Sequence, residues 1–155
     1  MGTEIERKFL VVGQSWRAGV RSTQTIQQGY LAVGPPTAVR VRVAGERATL
    51  NIKTSTTNIV RSEFEYPVPL RDAREILDRL CVGAPIEKVR HRIPIGEHVW
   101  ELDVFGAANL GLVVAEIELE TVDQDFERPD WLGSEVSHDP KYLNTSLCLS
   151  PYSQW

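Results

Sequence analysis

Polar and apolar residues alternate with a period of two along most of this chain. In an extended strand residues i and i+2 share a face. On that basis eight segments read as strands: Glu4–Val12, Thr23–Val33, Ala38–Val43, Arg47–Lys53, Arg61–Val68, Ile86–Pro94, His98–Phe105 and Leu112–Val122. Turn-forming residues separate them at Gly34-Pro35-Pro36, Ala44-Gly45-Glu46, Ser55–Asn58, Pro94–Glu97 and Gly106–Asn109. One stretch follows a different period. After Pro69, the residues Leu70, Ala73, Ile76, Leu77 and Leu80 recur at helical spacing. Gly83 and Pro85 predict the stop of that helix. Phe126–Val136 is interrupted by Pro129 and Gly133, which leaves room for at most a short helix on either side. Asp139-Pro140 joins an N-cap to a proline suited to the first helical position, and predicts a last short helix through Leu147. Many short antiparallel strands joined by tight turns predict a mainly β, α+β fold built as a barrel or sandwich. No linker or internal repeat divides the chain, so residues 1–155 read as a single domain.

The polar positions are unusual in carrying full charges. Glu4, Glu6 and Lys8 share a face of the first strand, Arg40 and Arg42 of the third, and Glu63 and Glu65 of the fifth. Lys88, Arg90 and Arg92 share a face of the sixth, Glu101 and Asp103 of the seventh, and Glu116 and Glu118 of the eighth, with Glu120 following. Lys53 sits near the end of the fourth. The opposite faces carry Ile5 and Phe9, then Val39, Val41 and Val43, Phe64 and Tyr66, Leu102 and Val104, and Ile117 and Leu119. A sheet with one wet and one dry face gives the same alternation. Here, however, the signs segregate by strand, whereas solvated faces intersperse them to gain weak cross-strand pairs. Divalent cations would neutralise the carboxylate pairs, and a polyanion would neutralise the Arg and Lys rows. A metal–phosphate substrate meets both needs. Arginine forks bind phosphate oxygens bidentately and lysine adds a point charge. Hard carboxylate oxygens suit Mg²⁺ or Mn²⁺. Periodicity alone does not say whether this face points into a barrel.

Composition narrows the alternatives. Of the 155 residues, 42% are hydrophobic and 25% charged, ordinary for a globular protein. A net charge of −4 with a pI near 5.4 argues against a general nucleic-acid-binding surface. No apolar run is long enough to predict a membrane span. The acidic start lacks a secretory leader, and Glu6 stands where a myristoylation signal after Gly2 needs Ser or Thr. A cytoplasmic setting is the resulting expectation. Cys81 and Cys148 form no C-x-x-C pair and read as buried free thiols. His91, His98 and His138 have no metal-ligand spacing and read as surface or satisfied histidines. No phosphate-cradling glycine loop and no G-x-S-x-G elbow occur. Trp16, Trp100 and Trp131 read as packing or surface residues, and Trp155 as a disordered terminus.

At Glu4-Ile5-Glu6-Arg7-Lys8 the sequence resembles the CYTH, or triphosphate tunnel metalloenzyme, family through its N-terminal E-x-E-x-K motif. Further stretches resemble that family in order: Gln28-Gly29-Tyr30-Leu31, Arg40-Val41-Arg42, Asn51-Ile52-Lys53, Glu63-Phe64-Glu65, Glu87-Lys88-Val89-Arg90, Trp100–Phe105, Glu116-Ile117-Glu118 and Asp139–Asn144. The resemblance implies an eight-stranded antiparallel β-barrel forming a tunnel, with helices packed outside, and metal-dependent cleavage of triphosphates. It implies that Glu4, Glu6, Glu116 and Glu118 hold a first metal ion. Glu63 and Glu65 would support a second ion or the attacking water. Lys8, Arg40, Arg42, Lys53, Lys88 and Arg90 would clamp the triphosphate, and Lys8 and Lys88 join the carboxylates as catalytic candidates. Mg²⁺ or Mn²⁺, in two ions, is the implied cofactor. Asp103 and Arg92 are explained equally well by structural pairing. Lys141 stands where the resemblance leads one to expect Arg, a change that would loosen a phosphate contact, and His91 should lie outside the tunnel. The leading expectation is an inorganic triphosphatase with a small-molecule substrate and neither nucleic-acid nor membrane partner, because the short chain carries no appended recognition domain. A nucleoside or thiamine triphosphatase, an adenylate cyclase, a non-catalytic polyphosphate-binding module and a barrel for apolar ligands are the alternatives. A homodimer is the assembly kept in view.

Overall fold

The computed structural model describes residues 2–54 and 57–155. Ser55 and Thr56, in the turn read over Ser55–Asn58, lie outside the described residues. Eight strands form the wall of a barrel: β1 (Gly2–Val11), β2 (Ser22–Ala32), β3 (Thr37–Ala44), β4 (Arg47–Thr54), β5 (Val60–Pro67), β6 (Val82–Ile95), β7 (His98–Phe105) and β8 (Val113–Glu118). Their order around the wall is β1-β5-β4-β3-β2-β6-β7-β8 and back to β1, and every neighbouring pair is antiparallel. Closure removes the exposed edges that an open sheet would offer. The β1–β5 seam is short, running from Gly2 opposite Glu63 to Ile5 opposite Val60.

Closure gives the two faces of each strand different fates. The outer residues of β1, β6, β7 and β8 form an apolar cluster around Phe9, Ile93, Trp100, Leu102, Ala115 and Ile117. A short 3-10 helix at Ser15–Gly19 and the segment around Trp131 cover it, adding the buried rings of Trp16 and Trp131. Trp100 meets Phe9, Phe126 and Trp131 edge to face at centroid distances of 5.5–5.7 Å. On the other side, helix α1 (Leu70–Arg79) lays Ala73 and Leu77 on Val41 and Ala48. Inside the barrel, the faces switch from charged to apolar toward one end. There Tyr30, Ala38, Ile86, Phe105 and Val114 meet Leu147 and Cys148 of the C-terminal helix α2 (Asn144–Leu149). This packing blocks that end with side chains.

Several local expectations need correction. The stop read at Gly83 and Pro85 is instead the first part of β6. Pro85 is tolerated because the β2–β6 ladder is irregular between Gln28 and Tyr30 and the β7 pairing begins only at Lys88. Phe126–Val136 holds a four-residue strand rather than helix: β9 (Leu132–Glu135) adds to β1, with Val11 opposite Leu132 and Phe9 opposite Glu135. The strand read to Val122 ends at Glu118. Asp139 does cap through its side chain, which accepts from the Lys141 amide at 3.0 Å. The helix it starts lasts only over Pro140–Tyr142, and α2 begins afresh after the extended Leu143. Trp155 is anchored: its indole N–H donates to the Ser150 carbonyl at 3.1 Å, and its ring meets Tyr142 and Tyr152 edge to face.

Candidate active site: a tunnel of opposed charges

The inward faces enclose a cavity of about 750 Å³. Its lining includes Glu4, Glu6 and Lys8 from β1, Arg40 and Arg42 from β3, Lys53 from β4, and Glu63 and Glu65 from β5. Arg90 and Arg92 from β6, Glu101 from β7 and Glu116 and Glu118 from β8 belong to the same charged wall. The alternation that made these residues share a face therefore brings them together in one space, because each strand contributes one face to the interior. Leu143, Asn144 and Thr145, where α2 begins, close part of the same cavity.

Hydrogen bonds hold the carboxylates in place. On β5, Asn51 Nδ2 donates to Glu63 Oε1 at 2.8 Å and to Glu65 Oε2 at 2.6 Å. The buried amide thus sets two carboxylates two residues apart on one face. Across β1 and β8, Glu6 faces Glu118 and Lys8 faces Glu116 in register. Glu116 is bound from both sides, by Lys8 Nζ at 3.1 Å and Arg90 Nη2 at 3.2 Å. Burial works against its charge, yet Lys8, Arg90 and Lys88 hold its carboxyl well below the usual range. Glu118 behaves oppositely: burial and the nearby Glu4, Glu6, Glu101 and Glu63 push its carboxyl up. A carboxylate surrounded by carboxylates calls for a cation.

The cations crowd one another in the same way. Burial and then Arg40 and Arg90 lower Arg42 to about 10. Burial and Arg40 lower Lys53. Arg42 Nε donates to the buried Gln28 Oε1 at 3.0 Å, and Arg40 Nη2 lies 3.6 Å from Glu63. Lys53 Nζ is 3.7 Å from Glu4 and 4.0 Å from Glu63. These cations crowd one another along the wall, which a polyanion between them would relieve.

Lys88 departs from its expected place. It is not among the described residues lining the cavity; its Nζ is buried against Asp103 Oδ2 at 2.5 Å. Asp103, fully buried, also accepts from Arg90 Nε and Nη2, each at 2.8 Å. Arg90 further pairs with Glu101. Asp103 therefore orients Arg90 from behind, and Lys88 sits behind Asp103. Arg92 reaches the cavity mouth and pairs with Glu101 at 3.3 Å. Lys141 lies outside the lining, with its ammonium 4.2 Å from the Trp155 ring centre. His91 packs outside the barrel on Trp16, as expected.

Arg61 and His98 join the lining beyond the residues expected there. Arg61 shares the inward face of Glu63 and Glu65, so the period-two pattern already contained it; its Nη2 lies 2.8 Å from Glu6 and 3.5 Å from Glu4. His98, read as a surface histidine, lies at the cavity and its Nε2 is 3.1 Å from Gln124 Nε2. Its partner comes from a segment without period, so no sequence signal linked them.

The donor set suits a hard divalent cation: it is all carboxylate, and Glu4 Oε2 is buried without a hydrogen-bond partner. Among the described residues no three such groups already stand as a ligand cluster. Glu4 and Glu6 face Arg61 instead.

Comparison with known proteins agrees with this geometry. The CYTH domain matches residues 2–146. An inorganic triphosphatase of Acetivibrio thermocellus is 41% identical over 155 residues, covering 100% of this chain and 99% of that protein. An inorganic triphosphatase of Nitrosomonas europaea is 34% identical over 153 residues, covering 96% and 98%. A crystal structure of an inorganic triphosphatase superposes with a TM-score of 0.71 at 31% identity, covering 97% of both chains.

Proposed function

The chain belongs to the CYTH domain family, and from that premise we propose that it hydrolyses inorganic tripolyphosphate to pyrophosphate and phosphate inside its tunnel. The observation that carries the proposal is the facing of two charge sets in one cavity: crowded cations at Arg40, Arg42, Lys53 and Arg90, and carboxylates at Glu4, Glu6, Glu63, Glu65 and Glu118. A pure anion binder gains nothing from the second set. Its relatives, named inorganic triphosphatases, support the substrate.

In this reading Arg40, Arg42, Lys53 and Arg90 take the phosphate oxygens and Lys8 joins them from β1. Asp103 keeps Arg90 oriented, and Lys88 acts through Asp103 without touching substrate. Glu63 and Glu65, fixed by Asn51, orient the attacking water and accept its proton as its oxygen bonds to the terminal phosphorus and the bridging P–O bond breaks. The pyrophosphate leaves against the cationic wall. The family implies a divalent metal requirement. Glu4, Glu6 and Glu118 would hold the first ion, and Glu63 and Glu65 the second; Glu116, held by Lys8 and Arg90, would join the first by releasing one of them. Mg²⁺ or Mn²⁺ there would neutralise phosphate charge and make the water more acidic. Most of the rate enhancement is then positioning and charge neutralisation. The reaction calls for no nucleic acid or membrane and suits the cytoplasm. Among the described residues no helix is long and apolar enough to cross a membrane.

Product analysis with tripolyphosphate, ATP and thiamine triphosphate tests the substrate. Preferential cleavage of tripolyphosphate supports the proposal. Faster cleavage of ATP or thiamine triphosphate would move the substrate to an organic triphosphate, and cyclic AMP with pyrophosphate from ATP would make the protein a cyclase.

A further inference from the structure

The proposed reaction leaves Arg61 without a task, although it stands among the residues that would carry it. Arg61 sits on β5, two residues before Glu63, with its side chain only 10% exposed. One nitrogen, Nη2, makes its contacts with both Glu6 and Glu4. Its Nε is buried without a hydrogen-bond partner, and so is Glu4 Oε2. A permanent structural pair between arginine and carboxylate usually engages the fork, with two parallel N–H···O bonds. The Arg7–Glu135 pair on the outside of the same barrel does so, through Nε at 2.9 Å and Nη2 at 2.6 Å. Arg61 instead holds two carboxylates by a single point: it leaves its own Nε without a partner and reaches Glu4 Oε2 only as a 3.5 Å ion pair, with no hydrogen bond.

The local balance of charge explains why it stays. Glu4 and Glu6 lie two residues apart on one face of β1, and Glu118 stands opposite Glu6 in register on β8. Lys53, the other cation at Glu4, is 3.7 Å away.

We propose that Arg61 is an exchangeable counter-cation: it occupies the Glu4–Glu6 carboxylates until a divalent ion displaces it, and so sets the threshold at which the tunnel takes up metal. This rests on the reading of Glu4 and Glu6 as metal ligands. A divalent ion binding there must break the Arg61 contacts before it gains the carboxylate oxygens, so its apparent affinity is reduced by the work of that exchange. Removing the guanidinium removes the competitor.

The experiment is a calorimetric titration with Mn²⁺ alone, without any phosphate, of the wild type, Arg61→Met and Arg61→Lys. Methionine keeps the bulk of the stem and removes the charge; lysine keeps the charge. The exchange predicts that Arg61→Met binds Mn²⁺ about tenfold more tightly than wild type, while Arg61→Lys stays within about threefold of it. It also predicts that Mn²⁺ raises the thermal midpoint of Arg61→Met more than that of wild type, since the variant frees Glu4 and Glu6 from Arg61. Should Arg61→Met fail to fold, Arg61→Gln, which can still donate to Glu6 without a charge, should show the same tightening. Equal or weaker Mn²⁺ affinity in a folded charge-free variant overturns the exchange. Failure of the wild type and of every variant to bind Mn²⁺ overturns the metal reading of Glu4 and Glu6 itself, and the exchange with it.

Discussion

Replacing Asp103 with asparagine removes one negative charge from the middle of a buried network. Asp103 is fully buried and accepts from Lys88 at 2.5 Å and from two nitrogens of Arg90 at 2.8 Å. Burial works against the Asp103 charge, yet Lys88 and Arg90 lower its carboxyl. Burial lowers Lys88 to about 8, with Arg90 and Arg42 adding to it against the pull of Asp103. The two shifts point in different senses for the pair: the acid is well served by two cations, the lysine less well by one acid among arginines. At neutral pH both are charged. Breaking a buried pair by removing one partner costs about 3–5 kcal/mol. Here Lys88 limits the cost, because without Asp103 its pKa falls further and it sheds its proton. Arg90 keeps Glu101 and Glu116. The low end, about 3 kcal/mol, is therefore expected, equivalent to a drop of about 6–12 °C in thermal midpoint for a chain of this size. Urea unfolding of the wild type, Asp103→Asn, Lys88→Met and the double variant measures it. The double variant should lose about 1–3 kcal/mol less than the sum of the singles. Additivity within about 0.5 kcal/mol, or a loss in Asp103→Asn below about 1 kcal/mol, would refute the reasoning. The lysine also leaves a pH signature. Its folded pKa, about 8, lies below its unfolded 10.5, so the unfolded chain binds the extra proton between them. Its contribution to stability is complete above that window and is lost as pH falls through about 8. The stability difference between wild type and Lys88→Met should accordingly grow in favour of wild type as pH rises through it.

Three further outcomes follow from the geometry. Glu6→Gln should abolish phosphate release, by about 100-fold or more, while circular dichroism and unfolding midpoint stay near wild type; full activity would remove Glu6 from the metal set. Arg42→Ala should raise KM for tripolyphosphate by about 10–100-fold through loss of a charged phosphate contact, and an unchanged KM would take Arg42 out of the site. Gly83→Ala should lower stability by about 2 kcal/mol or more, because Gly83 has φ +67° and a Cβ there would stand 2.2 Å from the Cys148 carbonyl oxygen of α2. Unfolding equilibria that match wild type would show that α2 does not lie across that end of the barrel.

The barrel and most of its charged lining were legible because a closed sheet preserves the simplest sequence signal. Each strand keeps its period, and inward positions such as Arg40 and Arg42 or Glu116 and Glu118 stay on one face whatever their neighbours do. Period does not report depth, however. Lys88 obeys the alternation as well as Arg90, yet ends behind Asp103 instead of at the cavity. Period puts Arg61 on the inward face but does not put it beside Glu4 and Glu6; that depends on the β1–β5 seam, a contact 55 residues away along the chain in the case of Glu6. Short elements were hidden for a different reason. β9 has four residues with Gly133 inside it and is held by pairing with β1, while Gly83 and Pro85 read locally as breakers but sit where β6 needs a close approach and few ladder bonds. At the C-terminus, the cap at Asp139 was visible and the break at Leu143 was not, since it follows from α2 seating against the barrel end.

The most direct test of the central claim is phosphate and pyrophosphate release from tripolyphosphate by the wild-type protein, measured with Mg²⁺, with Mn²⁺ and with excess chelator. The account predicts saturable release of one phosphate and one pyrophosphate for each tripolyphosphate consumed, dependent on the added ion and stopped by chelator. Folded protein that releases neither product under any metal condition, or releases them equally well in chelator, would contradict it.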